Sequence, residues 1–171
     1  MHASSMDNMG RLLEKYITEE YLKNNPKPKL IDFGSAIAEK GQQSYKDLKI
    51  VSKFDYKGLD VYPGENVDII MEDPYVIPLE DNSADIVISG QAFEHIEFFW
   101  LSFLEIVRIA KPKSYIIITA PSGGYVHRYP VDCWRFFPDS MPSLAKWGKV
   151  DLVETFIVQG EWGDNFGVFR K

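Results

Sequence analysis

Several short apolar segments of this chain end in small or acidic residues. Leu30-Ile31 runs into Asp32-Phe33-Gly34-Ser35, and Tyr56 to Leu59 ends in Asp60. A third segment ends in Glu72-Asp73-Pro74, and a fourth in Ser89-Gly90-Gln91, with Glu94-His95 close behind. A fifth ends in Pro121-Ser122-Gly123-Gly124. In an α/β sheet, ligands sit beyond the carboxyl ends of the strands. A glycine turn there brings backbone close to the ligand, and an acid after the second strand takes two ribose hydroxyls. The first three exits carry carboxylates and no Lys or Arg, so nothing there grips a phosphate. A ligand rich in hydroxyls and amines fits this end better than a dinucleotide. Only Gly34 stands where a G-x-G-x-x-G run would place three glycines. From Gly34 to Asp60 is 60 − 34 = 26 positions, against about 20 in the dinucleotide pattern.

A second cluster of chemistry lies in H-R-Y-P-V-D-C-W-R-F-F-P-D, His127 to Asp139. It supports two readings. Either it closes over the sheet as an arm, with Trp134 and Phe136 buried and Asp132 paired to an arginine, or it forms an acceptor pocket. In the second reading His127 or Asp132 is the base and Arg135 binds an acidic group. His127, Asp132 and Cys133 match no usual zinc spacing, so no metal is expected. Glu94 and His95 precede a helical pattern and can serve simply to cap it. Asp32 can organise its turn, and Asp73-Pro74 can be a plain strand stop.

The elements that must position these groups follow from periodicity. Leu12, Leu13, Tyr16, Ile17 and Tyr21 give a helix over Arg11–Leu22. Phe99, Phe103, Ile106 and Ala110 give a second, over Phe98–Ala110, with Phe98, Phe99, Trp100 and Phe103 as core. Lys111-Pro112 is expected to end it. A short helix is expected within Tyr45–Ser52, and another over Pro138–Trp147. Strands are expected at Lys29–Phe33, Tyr56–Val61, Val67–Glu72, Ala84–Ser89, Tyr115–Ala120, Val150–Val158 and Phe166–Arg170. The apolar runs A-D-I-V-I-S and Y-I-I-I-T-A suit parallel strands covered on both faces. Alternation of strands and helices argues an α/β layered sheet. The short last connection makes the final strand antiparallel to its neighbour.

The chain has 171 residues, which suggests one domain, and its 45% hydrophobic content suits a packed core. A net charge of −6, with no basic block, argues against a nucleic-acid surface. Cys133 is the single cysteine, so an internal disulfide is excluded and a reducing compartment fits. No apolar run nears the roughly 20 residues of a membrane span. The first ten residues lack a signal pattern and are expected to be a loose arm. By elimination the protein is expected in the cytoplasm.

Taken together, the strand exits resemble those of class I S-adenosylmethionine-dependent methyltransferases of the small type-11-like group. L-I-D-F-G-S resembles the family's first motif and Y-K-G-L-D its second. M-E-D-P-Y-V-I-P-L-E-D-N-S-A-D-I-V-I-S resembles the third and fourth. Q-A-F-E-H-I and E-I-V-R-I-A-K-P-K resemble the segments that follow. The likeness implies a Rossmann-like fold with a mostly parallel seven-stranded sheet, an antiparallel last strand and a reduced helical complement. It implies one domain: residues 1–28 as arm and helix, 29–125 as cofactor-binding core, 126–171 as acceptor-side arm and C-terminal strands. It implies S-adenosylmethionine as cofactor, methyl transfer, and a small-molecule or saccharide-like acceptor. By the same likeness Gly34 and Ser35 lie under the methionine part, with Asp32 a further cofactor-binding candidate. Asp60 takes the ribose, Asp73 faces the adenine amine, and Ser89, Gly90 and Gln91 border the sulfonium. His95, Tyr129 and Arg135 are then acceptor-side residues, and His127 and Asp132 the catalytic candidates. Two alternatives stay open: a non-catalytic protein binding the cofactor or its demethylated product, and a nicotinamide-dependent oxidoreductase. The aromatic arm also leaves a homo-oligomer open.

Overall fold

Buried backbone polar groups must find partners, and the apolar segments find them in one another. The computed structural model describes residues 3–171. Its strands are β1 (Lys29–Phe33), β2 (Asp55–Asp60), β3 (Ile69–Ile70), β4 (Ala84–Gly90), β5 (Ala110–Pro121), β6 (Asp151–Ile157) and β7 (Asp164–Arg170). They form one sheet in the order β3-β2-β1-β4-β5-β7-β6. Strands β1 to β5 pair in parallel, and β7 lies antiparallel to both β5 and β6. This is the Rossmann-like methyltransferase sheet that the sequence implies. Among the described residues the α-helices are α1 (Ala3–Tyr16), α2 (Glu19–Asn24), α3 (Phe99–Ile109) and α4 (Ser140–Gly148). Two 3₁₀ turns, Tyr45–Asp47 and Lys49–Lys53, stand where a helix would join β1 to β2.

Alternation along the strands sorts the core into two layers, because successive side chains point to opposite faces. Leu30, Ile86, Ile88, Ile117, Phe166 and Val168 face α1 and the 3₁₀ turns. Ile31, Phe33, Val87, Ile116, Ile118 and Phe169 face α3 and α4. Phe103 of α3 is fully buried against Phe169, with ring centroids 5.1 Å apart.

Several elements differ from expectation. Residues 3–10 are not a loose arm but the start of α1; Met6 and Met9 continue the buried stripe of Leu13 at helical spacing. Arg11–Leu22 is not one helix. The chain breaks after Tyr16 and restarts at Glu19, where the Thr18 hydroxyl accepts the Tyr21 N–H and caps α2. Strand β3 is only two residues long. Its flank is tied laterally instead, with Asp68 Oδ2 accepting the Gly58 N–H at 2.9 Å. Lys111-Pro112 does not end α3; the helix stops at Ile109 and β5 begins at Ala110 without a loop. Phe98 is half exposed, so it lies outside the core, while Phe103 lies in it. Among the described residues, no helix is long and apolar enough to cross a membrane.

Candidate active site

Register brings the carboxyl ends of the central strands level. Phe33 stands opposite Leu59 on one side and Ser89 on the other, and Gly90 stands opposite Thr119. The strand order reverses between β1 and β4, and a crevice opens at such a switch point. There a cavity of about 930 Å³ is lined by the loops after β1, β2, β4 and β5. Its size is at the upper end of the roughly 300–1,000 Å³ typical of small-molecule sites.

The loop after β1 is held tightly. The Gly34 and Ser35 N–H groups both donate to the Leu59 carbonyl, at 2.8 and 3.0 Å. Gly34 has φ +78°, and a Cβ there would lie 2.4 Å from the Ala92 Cβ. Glycine is therefore required on both conformational and steric grounds. Ser35 Oγ donates to the Asn66 carbonyl at 2.9 Å, so its hydroxyl ties two loops together. Asp60 accepts the Ala36 N–H at 3.0 Å on one oxygen and the Tyr62 N–H at 3.1 Å on the other. A carboxylate offers about four lone-pair sites, so roughly two remain for a ligand. Asp32 is buried and receives the Tyr56 hydroxyl at 2.6 Å. Burial raises its pKa to about 7; the Tyr56 bond opposes this and the nearby Asp60 charge adds to it.

The loop after β4 turns at Gln91, with φ +56°, and Gln91 Nε2 donates to Asp164 Oδ1 at 2.9 Å. Gly90 is pressed against Tyr45, whose oxygen would lie 2.0 Å from a Cβ placed there. The Tyr45 hydroxyl in turn shares a 2.7 Å hydrogen bond with Ser5 Oγ. Ser4 Oγ donates to Asp164 Oδ2 at 2.6 Å. The first turn of α1 thus supports the cavity floor from behind.

The arm after β5 crosses the strand ends. Its Cys133 N–H donates to the Glu94 carbonyl at 2.7 Å, and its Phe136 N–H to the Pro121 carbonyl at 2.8 Å. Phe136 is buried edge-on against Phe99, whereas Trp134 stays 39% exposed and donates to the Ile96 and Glu97 carbonyls. Asp132 is clamped by Arg135 at 2.5 and 2.9 Å and also accepts the His127 N–H at 2.7 Å. The Arg135 bonds hold its pKa well below the usual carboxylate range. The arm therefore packs through Phe136 and Asp132–Arg135, as the first reading of its sequence expects except that Trp134 stays exposed, and it presents His127 and Tyr129 to the cavity.

Of the expected residues, Asp32, Gly34, Ser35, Asp60, Gly90, Gln91, His95, His127 and Tyr129 line one cavity. Ser89, Asp73, Asp132 and Arg135 are not among its lining residues. Ser89 is fully buried with its Oγ donated to the Phe33 carbonyl at 2.8 Å. Asp73 accepts the Tyr75 N–H at 2.7 Å and closes a turn, leaving Pro74 as the lining residue of that exit. Two lining residues were not legible as site residues. Tyr45 sits in a polar stretch far from any strand exit. Glu94 reads as a helix-capping acid, yet it is fully buried, neither carboxylate oxygen has a hydrogen-bond partner, and burial raises its pKa to about 8. His95, its neighbour, is half-buried, and desolvation lowers its pKa.

Comparison with known proteins agrees with this geometry. No curated protein matches the chain. Among solved structures, a SAM-dependent methyltransferase from Aquifex aeolicus shares 17% identity with a TM-score of 0.59, covering 99% of this chain and 98% of that one. The 1,6-didemethyltoxoflavin-N1-methyltransferase of Burkholderia thailandensis, solved with bound 1,6-didemethyltoxoflavin and S-adenosylhomocysteine, shares 11% with a TM-score of 0.68, covering 99% and 84%. The [4+2]-cyclase SpnF shares 13% with a TM-score of 0.65, covering 95% and 80%. At these identities the likeness establishes the fold. The family model of the methyltransferase domain, in contrast, matches residues 30–118, just over half of the chain. With the sheet order, the switch-point cavity and that match in hand, the chain belongs to the S-adenosylmethionine-dependent class I methyltransferase-domain family.

Proposed function

We propose that the protein binds S-adenosylmethionine in the β1–β2–β4 half of the cavity and transfers its methyl group to a small, hydroxyl-bearing acceptor of saccharide-like character. The observation that carries this reading is the charge of the cavity at a switch point. Four acids line it, Asp60 and Glu97 with Asp32 and Glu94, the latter two kept reluctant to ionise by burial, against one arginine, Arg128, and no lysine. That donor set fits a cationic sulfonium and ammonium, and ribose hydroxyls at Asp60; it does not fit a pyrophosphate. When bound, the cofactor supplies a methyl already activated on sulfur, and the C–S electron pair stays on sulfur as a neutral thioether. The chain's own work is alignment. Gly34 lets the first loop pass beneath the ligand, Asp60 anchors it, and Gly90 and Gln91 shape the wall toward the acceptor. A hydroxyl acceptor also loses a proton, and the base role is assigned to Nε2 of His127, which lines the cavity. Asp132 then acts as a positioning residue through its contact with His127 and its clamp by Arg135.

The test is calorimetry with S-adenosylmethionine and S-adenosylhomocysteine on wild type and Asp60→Ala, followed by methyl transfer from labelled cofactor to pooled glycosides and polyols. Charge-assisted hydrogen bonds contribute roughly 1.5–3 kcal/mol each, so Asp60→Ala should weaken binding about tenfold or more. Absence of binding by the wild type would sink the proposal. Tight binding without transfer to any acceptor would favour a non-catalytic cofactor-binding protein.

A further inference from the structure

Two imidazoles and one carboxylate meet in the acceptor half of the cavity, brought there by two different loops. Glu94 and His95 follow β4, and His127 follows β5. Glu94 Oε1 lies 3.6 Å from His95 Nε2 and 3.9 Å from His127 Nε2. The three ligand atoms fall within 4.8 Å of one another. The other nitrogen of each ring is already engaged. His95 Nδ1 is 2.6 Å from the Val131 carbonyl, which makes it the protonated nitrogen and leaves Nε2 with its lone pair. His127 Nδ1 is 3.3 Å from Asp132 Oδ2, and Asp132 is itself fixed by Arg135. A carbonyl and a carboxylate behind the two rings form the outer shell that orients metal-binding histidines. Glu94 supplies an independent observation. It is fully buried, and both of its oxygens lack a hydrogen-bond partner. In its ionised form such a buried group is costly unless a cation meets it.

We propose that Glu94, His95 and His127 form a divalent-metal site, with two imidazole nitrogens and one carboxylate on one side and open coordination positions facing the cavity. This donor set suits Zn²⁺, Co²⁺, Fe²⁺, Mn²⁺ or Ni²⁺, not the all-oxygen environment that Ca²⁺ takes. Donors about 2.1 Å from a shared ion are roughly 3.0–3.4 Å apart, so the Glu94 separations of 3.6 and 3.9 Å close by about half an ångström and the widest in the trio, up to 4.8 Å, by about 1.5 Å, through side-chain rotation. The consequence for the acceptor rests on the methyl-transfer reading above. An acceptor oxygen, or two adjacent ones, would enter the open positions. Coordination lowers the pKa of a bound hydroxyl. Its proton passes to solvent, its lone pair forms the new O–CH₃ bond, and the C–S pair remains on sulfur. The base role of His127 is then replaced by the ion.

The experiment uses the full-length, tag-free protein, stripped with a chelator and titrated with Co²⁺ alone by visible absorption and calorimetry. The chain has three histidines, so His2 is the only imidazole outside the set. One Co²⁺ per chain is expected, with d–d bands and displacement by Zn²⁺. Glu94→Gln and His127→Phe should each weaken binding about a hundredfold or more, and Asp132→Asn about tenfold. His2→Ala and Cys133→Ser should leave it unchanged. Should Glu94→Gln fail to fold by circular dichroism, His127→Phe, at a partly exposed position, carries the test. Failure to take up one ion, uptake that survives the ligand variants, or loss of uptake in His2→Ala would overturn the site. Because the titration contains no cofactor, its failure leaves cofactor binding and the Asp60→Ala test untouched.

Discussion

Asp32→Asn should stabilise the protein at alkaline pH while changing little in acid. Asp32 is 3% exposed, and burial raises its pKa to about 7, against about 3.9 in an unfolded chain. Between those values the native state keeps a proton that the unfolded state has released. Stability therefore falls as pH rises through this window, by up to 1.36 kcal/mol per unit. Over about three units the total is roughly 4 kcal/mol, present below pH 4 and lost by pH 7. Asparagine removes the ionisation but keeps an oxygen that accepts the Tyr56 hydroxyl, now received by Asp32 at 2.6 Å. The difference between variant and wild type isolates this one group, because other titrations cancel. Allowing for water entering the native site, the variant should be about 2–4 kcal/mol more stable at pH 8, about 1–1.5 kcal/mol more stable at pH 5, and level with wild type below pH 4. Urea unfolding followed by tryptophan fluorescence at pH 5, 6, 7 and 8 measures it. A stability difference that stays flat across this range, or a variant weaker at pH 8, would refute the assignment of a buried, reluctant carboxyl at the end of β1.

Gly34→Ala combines a left-handed backbone with a Cβ 2.4 Å from that of Ala92. The conformational and overpacking penalties together should cost about 2–4 kcal/mol, seen as a lowered melting temperature and loss of cofactor binding. Tyr45→Phe leaves the buried Ser5 hydroxyl without its 2.7 Å partner and should cost about 1–2 kcal/mol, measured by urea unfolding. Gly90→Ala would drive a methyl to within 2.0 Å of the Tyr45 oxygen. It should weaken cofactor binding by calorimetry more than Tyr45→Phe does, since it displaces the whole ring and not one hydrogen bond.

The sequence by itself determined the strands, their polar exits and the end of the sheet where a ligand would sit. Those are local properties. Short continuous apolar runs, a glycine stop and an acid after β2 are visible within ten residues, and Asp60 and Gly34 stand where that logic puts them. The tertiary structure alone decided which polar residues reach the cavity. Ser89 and Asp73 stand at strand exits like Gly90 and Asp60. A hydrogen bond to Phe33 keeps the first in the sheet, and a turn at Tyr75 engages the second. Residues 3–10 looked like an arm because their apolar positions are two methionines among small and polar residues. Packed against the sheet, they carry Ser5 to Tyr45. Glu94, His95 and His127 show no metal spacing in the sequence, since 127 − 95 = 32 positions separate the histidines. They meet because β4 and β5 are parallel neighbours whose exit loops fold over one another, and long-range proximity of that kind leaves no periodic trace in a chain.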